Sequence, residues 1–126
     1  MLSEEVQDAG GDAMTRHADG GYMILYGGRR ERTFLPTGQP SVAICRLSSP
    51  AFQSASNGYA IANRIMTDSN AKGGTPTWFR VVGSDGRVKW DGSAGTENAD
   101  LILPEEFKTI PPHSAVTIEN YGFRFA

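Results

Sequence analysis

The stretch from Pro76 to Gly92, PTWFRVVGSDGRVKWDG, constrains the chain more than any other, because it carries both tryptophans and reads as one β-hairpin. Trp78 to Val82 is a dense run of aromatic and β-branched side chains, the types that suit a pleated, half-buried surface. Ser84-Asp85-Gly86 supplies turn chemistry, with an Asp to accept backbone hydrogen bonds and a Gly for the positive φ that closes the loop. Val88 to Trp90 is the returning apolar run. A two-stranded ribbon is marginal by itself in water, so the remaining sequence must supply strands that cover it.

Those strands are legible on either side. Gly21 to Tyr26 (GYMILY) and Ser41 to Leu47 (SVAICRL) read as strands. In the first neither face is polar, which implies burial on both faces or a partner on one. Asn57-Gly58 signals a turn, and Tyr59 to Met66 alternates as a strand, with a short helix over AIANRIM as the competing reading. Ser93 to Asn98 reads as a loop after a strand exit at Asp91-Gly92, Asp100 to Leu103 is a short strand stopped by Pro104, and Ala115 to Phe125 closes the chain as a long strand. Its alternation changes phase between Ile118 and Tyr121, which calls for a bulge near Asn120 or a passage from one sheet to another.

Residues 1–20 form the one helical region, an N-terminal arm that is flexible or short-helical and interrupted at Gly10-Gly11. The domain proper spans 21–126. About seven or eight short strands without long helices between them predict an all-β fold, an antiparallel β-sandwich or jelly-roll-like arrangement.

Composition narrows the function classes. The net charge of −2 lacks the basic excess of a nucleic-acid binder, so no specific nucleic acid is expected. The single Cys45 has no disulfide partner within the chain, and no Cys/His spacing fits zinc. No apolar run is long enough to span a bilayer, and the acidic N-terminus has no apolar signal-peptide segment, so a cytoplasm-like compartment without a membrane partner is expected. No phosphate-cradling loop, dinucleotide fingerprint or nucleophile elbow is present, and no cofactor is expected.

Candidate chemistry is thin. Cys45 lies mid-strand, with His17 in the arm and His113 in a Pro-flanked loop as its only histidine partners for nucleophilic catalysis, and a small core residue is the better reading. Asp85 and Asp91, or Glu105 and Glu106, are the acid pairs a glycosidase would need, but Asp85 is explained by its turn. Asp68, Asn70, Asp91 and Asp100 are oxygen donors of the kind that hold Ca²⁺, without any recognised spacing. Trp78, Trp90, Tyr22 and Tyr59 are aromatics that a sugar-binding face would use, though core packing explains them more simply. The concentrated charge is Arg29, Arg30 and Arg32 in the loop after the first strand; a solvated loop is the plain reading, pairing with carboxylates on a protein partner the sharper one, and nucleic-acid phosphate a third that ranks behind it. Tyr22, on the two-sided first strand, joins them as a protein-binding candidate.

Several segments taken in order carry a resemblance: ILY (24–26), LSSPAF (47–52), ANRIMTDSNA (62–71), TWFRVVGSDG (77–86), WDGSAG (90–95), ADLIL (99–103), Ile110 and VTI (116–118). Together they resemble small structural proteins encoded in the gene clusters of tailed bacteriophages and prophages. The chain departs from that pattern in the basic GGRRER loop and in Pro111-Pro112-His113, where a glycine turn is usual. The resemblance implies a virion component without enzymatic activity, assembled in the bacterial cytoplasm. Its expected partners are the major capsid protein or other virion proteins, with a homo-oligomer or repeated copies on a lattice. A head-decoration or cement role is favoured, with a neck or tail location and a sugar-binding fibre or spike module as alternatives.

Overall fold

The computed structural model describes residues 4–31 and 36–124. The described residues are mostly β, with seven strands and one α-helix of 12 residues. Strand β4 (Trp78–Val82) and strand β5 (Val88–Gly95) form the expected hairpin, with Trp78 opposite Ser93 and Val81 opposite Trp90. Gly86 adopts φ 80°, and Asp85 Oδ1 accepts the Arg87 amide at 2.9 Å while Oδ2 accepts Lys89 Nζ at 2.9 Å. The turn thus closes through the residues that predicted it.

β5 runs on to Gly95, past the strand exit expected at Asp91-Gly92. Gly92 faces Phe79 across the pair, and a Cβ there would lie 2.6 Å from that ring. The glycine makes room for an aromatic from the neighbouring strand rather than ending its own.

Five strands form one sheet, in the order β2 (Ser41–Arg46), β1 (Tyr22–Tyr26), β4, β5 and β6 (Leu101–Ile102). Strands β3 (Tyr59–Ile61) and β7 (Gly122–Arg124) pair separately. The expectation of wholly antiparallel pairing fails at β6, which runs parallel to β5. A parallel neighbour ordinarily needs a long crossover. Here residues 96–100 suffice because only two residues pair and the loop is pinned: Asp100 Oδ2 accepts the Ser93 amide, Ser93 Oγ accepts the Asp100 amide, and Asn98 takes φ 51°.

Two expected strands are shorter than their alternation implies. Past β3, single pairings of Ala62 with Phe52 and of Ile65 with Leu47 replace a continuous strand to Met66. In the terminal segment Val116 pairs with Asp68, while Tyr121 O accepts the Ala62 amide and β7 pairs with β3. The phase change between Ile118 and Tyr121 marks this change of partner. Phe125 lies outside the described residues.

Period-two alternation separates the faces of the large sheet. Met23, Leu25, Cys45, Phe79 and Val81 point inward and are at most 1% exposed. They pack against Phe52, Ala60, Ile110, Val116, Ile118 and Tyr121 in one core. The tryptophans take opposite faces. Trp90 stacks on Phe123 with centroids 4.4 Å apart and donates Nε1–H to Tyr121 Oη at 2.9 Å, both on the core side. Trp78 stacks on Tyr26 at 4.6 Å on the outer side.

Helix α1 (Glu4–Thr15) runs through Gly10 and Gly11, where an interruption was expected, and continues into a 3₁₀ turn, Arg16–Ala18. Two central glycines cost a helix about 1 kcal/mol each relative to Ala. Tertiary bonds offset that cost. Asp12 Oδ1 accepts the Ala55 amide at 2.6 Å, Asp8 accepts the Asn57 and Gly58 amides at 3.3 and 3.0 Å, and Asp19 accepts the Ala51 amide at 2.8 Å. Asn57 and Gly58 have φ of 55° and 74°, which turn their N–H groups together toward the Asp8 carboxylate.

Candidate docking surface

Of the residues singled out for protein binding, Tyr22 lies on the outer face of the five-stranded sheet. Register places Tyr22 between Arg46 and Val82, Ile24 between Ile44 and Arg80, and Tyr26 beside Trp78. The inner faces of these strands already form the core, so these side chains belong to a second apolar surface. It is unevenly covered. Trp78 is fully buried, whereas Tyr22 and Ile44 remain 38% and 41% exposed. The two-sided apolar pattern of β1 therefore resolves into one core face and one face only partly covered.

The cover is the loop after β1. Trp78 Nε1 donates to Gly27 O and to Gln39 Oε1, each at 3.2 Å. Gln39 Nε2 donates in turn to Arg29 O at 2.7 Å and to Glu31 Oε1 at 3.3 Å, and Thr77 Oγ1 donates to Gly28 O at 2.6 Å. The buried indole N–H thus sets the position of both arms of the loop.

The arginines of this loop have different fates. Arg29 is exposed. Arg30 reaches β5 and forms an ion pair with Asp91, Nε donating to Oδ1 at 3.1 Å. Arg32 lies outside the described residues. Arg80, hidden in the sequence as the single polar residue of an apolar strand, is 1% exposed, with its guanidinium 5.1 Å from the Trp78 ring centre. The desolvated phenol of Tyr26 has its pKa raised, and the positive charge of Arg80 partly opposes the rise.

An open groove of about 520 Å³ runs beside this cover, with Ile24, Tyr26, Val82 and Val88 as its apolar lining, buried Arg80 in its wall and Arg87 as its exposed cation. Exposed Arg46 flanks the same face next to Tyr22. The surface is apolar with a cationic margin, the composition expected to meet carboxylates around an apolar contact. Sequence reading missed Ile44, Arg80 and Arg87. The strand register sets Ile44 and Arg80 on either side of Ile24, and Arg87 follows from the β4–β5 turn beside Val82 and Val88.

The other candidates are engaged elsewhere. Cys45 is fully buried, with Sγ 3.8 Å from Val116 O, and burial pushes its thiol up to about 11. A thiol so placed is a poor nucleophile. His113 Nδ1 lies 2.9 Å from Asn70 Oδ1, and His17 is exposed on the 3₁₀ turn. Asp85 holds its turn, and the Arg87 amide and then Lys89 lower its carboxyl pKa. Glu105 and Glu106 are exposed in a 3₁₀ turn, Glu105–Phe107. Asp68 Oδ2 accepts the Ile44 amide at 2.8 Å and Oδ1 the Asn70 amide at 3.0 Å. The four oxygen donors weighed for Ca²⁺ thus serve strand edges, turns and an ion pair. Among the described residues no group of three or more His, Cys, Asp or Glu side chains is placed to hold a metal ion.

No described helix is long and apolar enough to cross a membrane. In comparisons with known proteins, the chain matches no protein-family model, no curated protein and no solved structure.

Proposed function

We propose that this chain is a non-enzymatic structural protein of a tailed-bacteriophage virion, a capsid decoration or cement component that docks through the outer face of its large sheet. In this reading the β3–β7 ribbon and the mixed five-stranded sheet act as a reduced sandwich, a rigid body whose task is adhesion. The carrying observation is the incompletely covered apolar row on that face, Tyr22 and Ile44 with half-buried Ile24, set between Arg46 and Arg87. An isolated exposed apolar residue means little, but a contiguous apolar row with a charged rim is what an interface offers. The partner is a repeating protein surface bearing carboxylates, the major capsid protein in the first instance. A homo-oligomer that engages several lattice sites at once gains roughly 10²–10⁴ in avidity over a single contact without new chemistry. The order and spacing of the segments from ILY to VTI add support from the family resemblance.

The test is co-sedimentation of the full chain with purified capsids, and separately with tails, of the phage or prophage that encodes it. A fixed copy number on capsids is the expected outcome. The double variant Tyr22→Glu with Ile44→Glu keeps the circular dichroism spectrum and loses capsid binding. Retention of that variant on capsids at the wild-type copy number removes the proposed face, and binding to tails alone moves the protein to the tail.

A further inference from the structure

A second concavity lies away from the outer face, where β6 stops covering the edge of β5 and β7 comes close. Its volume is about 580 Å³, within the range of small-molecule sites. Aromatic side chains line it: half-buried Trp90 and Phe123 stacked on each other, with Phe79 edge-on to Tyr121 at 5.4 Å. Tyr59 forms part of the rim. Its ring lies across Gly122, where a Cβ would collide with it, so the glycine is what lets the ring reach over its own strand pair to the cleft.

The polar groups are few and of both kinds. Asp91 lines the cleft, but Arg30 already answers its charge. That leaves Asp100 and Arg124, one of each sign, both exposed, with the Arg124 guanidinium 5.9 Å from the Tyr59 ring centre. Tyr121 Oη accepts the Trp90 N–H, and its own proton remains to be donated. The cleft therefore offers aromatic surface, a carboxylate acceptor, a guanidinium donor and a phenol, with its charges balanced.

From this combination we infer that the cleft between β5 and β7 is a binding site for a neutral saccharide. A pyranose ring presents an apolar C–H face and a belt of hydroxyls that each donate and accept. It needs aromatic surface for the one and mixed donors and acceptors for the other, with no net charge to satisfy. A phosphate or uronate would face Asp100 as well as Arg124, and a cationic ligand would face Arg124. The site stands apart from the proposed docking face, so a capsid-bound copy would still present it, and neither proposal rests on the other.

The experiment is a titration of the full-length protein with neutral trisaccharides built on glucose, galactose, mannose and N-acetylglucosamine, followed by tryptophan fluorescence and calorimetry. A uronic-acid oligosaccharide and an acetylated extended peptide serve as the comparison ligands. Trp78 is fully buried on the other face and Trp90 lines the cleft, so a saturable emission change reports on Trp90. Saturable binding of at least one neutral trisaccharide is expected. Tyr59→Ala and Asp100→Asn are each expected to weaken it about tenfold, as loss of a stacking surface or a charge-assisted hydrogen bond does. Arg29→Ala, on the docking side, leaves it unchanged. Binding of the uronate or the peptide alone, binding indifferent to both cleft substitutions, or no calorimetric heat and no emission change with any neutral sugar overturns the inference.

Discussion

Substitution of Asp12 by Ala tests whether the N-terminal helix belongs to the folded body. Asp12 Oδ1 accepts the Ala55 amide at 2.6 Å across 43 residues of sequence, and the site is partly buried. Removing the carboxylate leaves that N–H to water or to nothing. A hydrogen bond to a charged acceptor contributes about 1.5–3 kcal/mol, and partial exposure puts this one at the lower end, about 1.5 kcal/mol. With a urea m-value of about 1.5 kcal/mol/M for a domain this size, the unfolding midpoint falls by about 1 M. Asp12→Asn keeps an acceptor oxygen in place and costs less. Urea unfolding followed by circular dichroism gives the midpoints, and amide hydrogen exchange at Ala55 reports the bond directly. If Asp12→Ala leaves the midpoint unchanged and the Ala55 amide exchanges freely in the wild type, the helix is not held to the body as described. The glycines at 10 and 11 would then keep only the Asp8 bonds to the 57–58 turn as tertiary compensation within the helix.

Two further outcomes follow from buried and paired groups. The Cys45 thiol should resist a disulfide reagent in the native protein and react stoichiometrically in denaturant. Its pKa is raised from 9.0 to about 11, so the unfolded chain ionises first and stability is lost as pH rises from 9 through 11. That gap corresponds to about 3 kcal/mol, and Cys45→Ala removes this part of the alkaline slope in urea titrations run at stepped pH. The neighbouring arginines should behave differently: Arg30→Ala strips Asp91, whose side chain is 12% exposed, of its ion pair and lowers stability by up to about 1 kcal/mol, whereas Arg29→Ala is neutral within about 0.5 kcal/mol. Equal effects on the urea midpoint would mean that the pair with Asp91 does not hold the loop.

What the sequence made legible was local. The β4–β5 turn is specified by residues within four positions of one another, Asp85, Gly86, Arg87 and Lys89, and it forms as read. Tyr22 could be singled out because β1 has no polar face, a property of five adjacent residues. What stayed hidden depends on residues far apart in the chain. The helix continues through Gly10-Gly11 because its Asp8 and Asp12 carboxylates accept amides at 55–58, 43 to 50 residues later. Arg30 looks like a free contact residue until Asp91, 61 residues on, takes its guanidinium. The parallel placement of β6 rests on a reciprocal pair of bonds between Ser93 and Asp100 that no pattern of hydrophobicity encodes. Ile44 carries no outward signal within its strand, and only register sets it on the outer face beside Ile24.

The handling of strand edges ties the two proposed surfaces to the fold. An open edge is a template for unwanted pairing, and a small β protein must cover it or use it. The free side of β2 is covered: Arg46 O accepts the Met66 amide at 2.8 Å, Val42 O accepts the Gly73 amide at 3.1 Å, and the Asp68 carboxylate caps the Ile44 amide. The far side of β3 is covered likewise, with the Gln53 amide on Ile61 O and the Ser56 amide on Tyr59 O. With its edges blocked there, the sheet can present Tyr22 and Ile44 to a partner without offering backbone for strand addition. Docking on that side must therefore be made by side chains across a face, which favours a shaped, specific contact over aggregation. At the opposite end β6 pairs with only two residues of β5, and the cleft opens beside the length left over. There the edge is screened by side chains, Asp100 capping the Ser93 amide and Tyr59 lying over Gly122, so a ligand meets rings, a carboxylate and a guanidinium.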